Sequence, residues 1–287
     1  MYERSRTKWL FVGPGILWVL AFTIFPLLYS LRLAFMRARL GQPQTFIGLK
    51  NFGRAFSDYR FWDSLQVTLI FAFASVLLTV SLGLGLALLF NRPMRGQRVF
   101  RSLFTMPLFA APIAMGYLGL TIFHEQVGAV NTVLRALGVV NLPPWFSDVW
   151  LARLTIVLVD VWQWTPFCFL VILAGLQSLP HEIYEATVLD TSSGWDTFRY
   201  ITFPLITPVL FTVAILRTVE AFKILDIPFS MTNGGPGAAT QTLSFYIYLT
   251  GLRNFNAGYA SALAYLLLLM VLIISLYFFR RLRQIYE

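Results

Sequence analysis

Six stretches of this chain are so long and so apolar that water cannot be their solvent. They run from Trp9 to about Phe35, then Val67–Phe90, Val99–Phe123, Leu151–Leu179, Pro204–Phe222 and Tyr259–Phe279. A helix crosses the hydrocarbon of a bilayer with about 20 such residues. The runs therefore predict an all-α membrane protein of six transmembrane helices, with residues 1–287 forming a single membrane domain. The first run is broken only by Arg32 near its end and far exceeds the ~7–15 apolar residues of a cleaved signal peptide, so it is expected to be retained.

Composition agrees. Hydrophobic residues make up 57% of the chain and charged residues 12%, where a soluble domain carries roughly a quarter charged. The net charge of +9 is placed by the membrane and not by nucleic acid. Arg4, Arg6 and Lys8 precede the first run, Arg92, Arg95, Arg98 and Arg101 cluster between the second run and the start of the third, and Arg280, Arg281 and Arg283 follow the last. Basic residues flanking apolar spans mark the cytoplasmic side and meet anionic lipid. Both termini are thus expected in the cytoplasm, and Met36–Gln66, with its five basic residues Arg37, Arg39, Lys50, Arg54 and Arg60, outside against the trend. Small residues four apart (Ser81 and Gly85, Gly83 and Ala87, Ala260 and Ala264) predict close helix packing.

Covalent chemistry finds no foothold. The only lysines, Lys8, Lys50 and Lys223, are preceded by Thr, Leu and Phe, so no phosphate-binding Gly-Lys loop exists. His124 and His181 are the only histidines and fall on opposite predicted sides, which leaves no metal site. Cys168 is read as a small buried hydrophobe.

Charges inside spans are more informative, since each costs at least about 2.5–3.5 kcal/mol in hydrocarbon. Asp160 lies in the fourth run, Arg217 and Glu220 in the fifth. The last two are three apart on one helix face and can pair. They are expected either to form a structural ion pair or to face a water-filled pathway. Trp162, Gln163 and Trp164 lie near mid-bilayer, where a tryptophan lacks its usual interfacial anchor. Aromatic faces beside an amide and charges suit a sugar, with its C–H faces and hydroxyl rim, although aromatic residues in spans also serve as packing.

Between the fourth and fifth runs, Pro180–Phe203 is polar and predicted to be cytoplasmic. Glu182 and Glu185 stand early, where a helix N-terminus favours negative charge. A short helix is expected, then a break near Ser192–Gly194 and re-entry at Pro204; a plain solvated connector is the alternative.

Glu185-Ala186, followed by Ile201 and Pro204, resembles the Glu-Ala-Ala loop of permease subunits of bacterial ABC importers. Thr187, Thr191 and Phe203 depart from its usual residues, and Gly194 comes late. Phe46–Asp58, Arg95–Pro107, the VWQWTPF stretch around Trp162, the NGGPGAATQTLSFYIY stretch around Gly234 and the FNAGYASA before the last run resemble the carbohydrate branch of that family, in the family's order.

The resemblance implies a non-enzymatic translocation subunit in the bacterial inner membrane. It would import a sugar, sugar derivative or polyol, with Glu185, Ala186, Asp190, Gly194, Ile201 and Pro204 coupling it to an ATPase. The implied partners are a second homologous permease, two ATP-binding subunits that use ATP and Mg²⁺, and an extracytoplasmic solute-binding protein. No cofactor is expected on this chain. Asp160, Trp162, Gln163, Trp164, Arg217 and Glu220 are the candidate pathway residues. An ion-coupled secondary transporter is the competing reading; Asp160 alone is a poor coupling set for one, and no internal repeat is evident.

Overall fold

Lipid leaves the backbone no water to bond, and the apolar runs accordingly fold as helices. The computed structural model describes residues 3–92, 95–190 and 193–286. In chain order its helices are α1 (Glu3–Val19), α2 (Phe25–Ala34), α3 (Lys50–Ser57), α4 (Tyr59–Phe90), α5 (Gln97–Thr105), α6 (Pro112–Ile122) and α7 (Ala129–Ala136). There follow α8 (Val149–Gln177), α9 (His181–Asp190), α10 (Gly194–Asp196), α11 (Phe203–Phe222), α12 (Asp226–Thr232), α13 (Leu243–Tyr248) and α14 (Ala257–Tyr286). Two two-residue strands, Met36–Arg37 and Thr45–Phe46, form an antiparallel hairpin.

Among the described residues, five helical stretches are long and apolar enough to cross a membrane: Phe11–Ala34, Tyr59–Phe90, Val149–Gln177, Gly194–Phe222 and Ala257–Arg281. The third expected span is different. Where the sequence predicts one helix over Val99–Phe123, Gln97–Phe109 and Pro112–Ile122 meet at 104°. Proline explains the break: its ring disfavours helix for the residue before it, and Ala111, just before Pro112, is extended at φ −61°, ψ 137°. Elsewhere prolines are absorbed. Pro14, Pro166 and Pro208 lie inside helices. Two widened π turns, Leu20–Ile24 and Thr197–Thr202, come just ahead of Pro26 and Pro204, where a wider turn relieves the clash between the ring and the preceding turn.

The helix carrying Pro204 therefore begins well before the expected re-entry point. It starts at Gly194, capped by Ser193 Oγ, which accepts from the Asp196 amide at 3.3 Å. The break expected near Ser192–Gly194 meets an extended Ser193 at φ −82°, ψ 115°, with helix from Gly194 onward; Thr191 and Ser192 lie outside the described residues.

The chain divides into two compact units, Met1–Trp62 with Tyr246–Leu269, and Asp63–Phe245 with Met270–Glu287. In the first, Asn51 donates to the carbonyls of Ala34 and Met36 at 2.9 and 3.0 Å, closing the end of α2. Asp58 accepts from the hydroxyls of Tyr246 and Tyr259 at 2.6 and 2.7 Å. Burial opposes its charge, but these phenols, the Arg60 amide and the nearby Arg54 guanidinium outweigh that and hold its carboxyl below the usual value. The Tyr246 hydroxyl, through burial first and then the carboxylate it faces, is pushed up to about 12.

The second unit packs through its glycines. A Cβ on Gly83 of α4 would stand 2.7 Å from Cys168 Cβ of α8, so the predicted small-residue seam and the buried thiol are two sides of one contact. A Cβ on Gly116 of α6 would overlap Ser230 of α12, and one on Gly119 would come within 2.6 Å of Val159. Close approach of this kind brings α6, α8 and α12 together and builds the site below.

Candidate functional site

Helix α8 starts on a side-chain cap, Asp148 accepting from the amides of Trp150 and Leu151 at 2.9 Å each. Residues three and four apart then share a face, so Asp160, Gln163 and Trp164 point the same way. Trp162 does not: it is 41% exposed and takes no part in the cavity that these three line.

Asp160 and Arg217 are 2% and 1% exposed. Arg217 Nη2 donates to Asp160 and, at 2.6 Å, to Ser75 Oγ, while that hydroxyl donates to Asp160 as well. One knot thus ties α4, α8 and α11. The expected pairing of Arg217 with Glu220 does not form, and the reason is physical. A carboxylate as buried as Asp160 needs the counter-charge, whereas Glu220 near the end of α11 reaches water and accepts from Lys223 Nζ at 2.7 Å. Ser75 was not singled out from sequence; a hydroxyl in an otherwise apolar stretch of α4 was the available signal.

The Arg217 guanidinium also lies 5.1 Å from the centroid of the Trp164 ring, a cation–π contact. Gln163 is 3% exposed, and its Nε2 donates to the Ala110 carbonyl at 3.0 Å, a group set free by the break before α6. Gln163 Oε1 has no hydrogen-bond partner among the described groups. These residues wall a cavity of about 250 Å³, together with Pro112, Glu220, Lys223 and Asp226. Lys223 and Asp226 were missed because they follow the apolar run and read as loop.

The second set of candidates lies on α9 and the helix after it. Glu185 is exposed on α9. Ala186 and Asp190 belong to the same helix, and their side chains lie outside the described residues. Tyr184 donates its hydroxyl to Thr202 Oγ1 at 3.2 Å, joining α9 to the stretch that continues into α11. Gly194 opens that stretch with open space around it, and Ile201 and Pro204 lie along it. Trp195 and Tyr200, both 65% exposed, give it an uncovered aromatic face. Among the described residues no group of His, Cys, Asp and Glu is gathered in a way that could hold a metal.

Residues 79–283 match the family described as binding-protein-dependent transport system inner membrane component. The chain is 35% identical over 276 residues to the trehalose/maltose transport system permease protein MalF of Thermococcus litoralis, covering 96% of this chain and 92% of that protein. It is 33% identical to the sn-glycerol-3-phosphate transport system permease protein UgpA of Agrobacterium fabrum, over 98% of this chain and 96% of that one. Its fold is that of a chain in the crystal structure of a bacterial ABC transporter involved in import of the acidic polysaccharide alginate, with a TM-score of 0.85 at 22% identity, covering 100% and 99% of the two chains.

Proposed function

Because this chain belongs to the family of binding-protein-dependent transport system inner membrane components, a family of multi-pass membrane transport subunits and not of enzymes, we propose that it is the translocation subunit of an ATP-driven importer for a sugar, sugar derivative or polyol. The observation that carries the proposal is one continuous helical run. From Gly194 to Phe222 it meets α9 through Tyr184 and Thr202 at one end, and holds Arg217 and Glu220 beside the polar cavity at the other. In this reading a push on α9 is passed along that helix to the pathway residues.

In this reading both termini and α9 are cytoplasmic, and the chain works beside a second homologous permease. Two ATP-binding subunits dock on α9 and use ATP with Mg²⁺, while this chain binds no cofactor of its own. An extracytoplasmic binding protein delivers the solute. Closure of the ATP-binding subunits moves α9 and the helix it touches, which turns the cavity from one side of the membrane to the other.

Affinity isolation of this chain from its native membranes in mild detergent tests the assembly. A second permease of the same family and an ATP-binding subunit are expected to come with it. A chain that purifies alone and accumulates solute on an ion gradient would be a secondary transporter instead.

A further inference from the structure

The cavity beside Asp160 carries more than the existence of a pathway. Most of its polar groups are acceptors, set against the Lys223 ammonium and the Trp164 indole N–H. Asp226 and Glu220 present carboxylates, which when ionised only accept. Gln163 lines it with its amide nitrogen already committed to Ala110 and its Oε1 unpartnered, on a side chain 97% buried by its 3% exposure. A buried acceptor without a donor costs about 1–3 kcal/mol, so this oxygen is a place kept for an O–H or N–H.

Positive charge is outnumbered by carboxylates along the wall. The one ammonium on the wall, Lys223, pairs with Glu220 at 2.7 Å. Arg217 does not line the cavity; it is spent on Asp160 and Ser75, with the Trp164 ring at its face. Pro112 brings no N–H, and the amides of Ala114 and Met115 turn back to the Ala111 carbonyl at 2.9 and 3.1 Å. Trp164 lines it as well, bringing an aromatic ring.

We infer that this cavity selects an uncharged polyhydroxyl solute and rejects anionic ones: Trp164 takes the C–H face, and Gln163 Oε1 with the Asp226 and Glu220 carboxylates takes the hydroxyl protons. The inference rests on the importer reading and narrows it. A carboxylate-lined wall disfavours anions such as phosphate and uronate. The volume of about 250 Å³ sits just below the ~300–1,000 Å³ of ligand pockets, which suits one sugar ring or an open-chain polyol at a time.

Equilibrium dialysis of the purified importer complex, without its binding protein, tests this free of the binding protein's own filter. The probes are labelled maltose, trehalose and glucitol against sn-glycerol 3-phosphate and glucuronate. At least one neutral compound is expected to bind at least about tenfold more tightly than either anion, and Trp164→Ala to weaken it about tenfold. Asp226→Lys changes an exposed side chain and so spares the fold; it is expected to raise anion binding and narrow the gap. The inference is overturned if the anions bind as well as the neutral compounds, if Asp226→Lys leaves the ratio unchanged, or if no probe is retained. None of these results touches the importer reading, which depends on ATP-driven uptake.

Discussion

Replacing Arg217 with alanine is expected to destabilise the protein by about 3–5 kcal/mol, the usual cost of breaking a buried ion pair from one side. The carboxylate of Asp160, 2% exposed, would keep only the Ser75 hydroxyl. Trp164 would lose its cation as well. Asp160→Leu should be comparably harmful, because it leaves a guanidinium with Nε and Nη1 already unpartnered and no counter-charge. The two changes made together, Asp160→Leu with Arg217→Met, should recover much of the loss, since an apolar pair of similar volume avoids the desolvation of both charges. Thermal unfolding of the purified complex across this double-mutant cycle measures the coupling. Single variants as stable as the parent would mean that the two charges do not meet.

The second large effect is expected on α9. Glu185→Lys reverses an exposed charge, and Ala186→Trp adds bulk on the helix where the ATP-binding subunits are proposed to dock. Either change should reduce binding-protein-stimulated ATP hydrolysis by the complex to its unstimulated level, or release the ATP-binding subunits. The amount of chain in the membrane should not change, because neither residue lies in a candidate span. If stimulation stays complete with both substitutions present, α9 is a connector and the path from Tyr184 through Thr202 into α11 carries no signal.

Spans were legible because lipid imposes a simple rule on composition and length, and the run Val67–Phe90 lies within the helix Tyr59–Phe90. Helix ends were not. The polar turns Tyr59–Gln66 and Gly194–Phe203 extend their helices beyond the apolar run, and hydropathy ignores them. The bend in the third span was visible only as Pro107 and Pro112; prolines at 14, 166 and 208 lie inside unbroken helices, so proline alone does not announce a break.

At the candidate site, spacing along one helix placed Asp160, Gln163 and Trp164 on a common face but also suggested the pairing of Arg217 with Glu220. Partners across helices decided otherwise. The link from Arg217 to Ser75 spans 142 positions in the chain, and no local pattern encodes it. The cavity's acceptor-rich wall depends on Asp226, which follows the apolar run and joins α8 only through tertiary packing.

ATP-dependent uptake by the reconstituted complex tests the importer assignment most directly. Proteoliposomes holding this chain, its second permease and the ATP-binding subunits, with ATP and Mg²⁺ enclosed and loaded binding protein outside, are expected to accumulate a labelled sugar or polyol and to stop when either ATP or binding protein is omitted; accumulation that ignores both and follows an imposed proton or sodium gradient would contradict it.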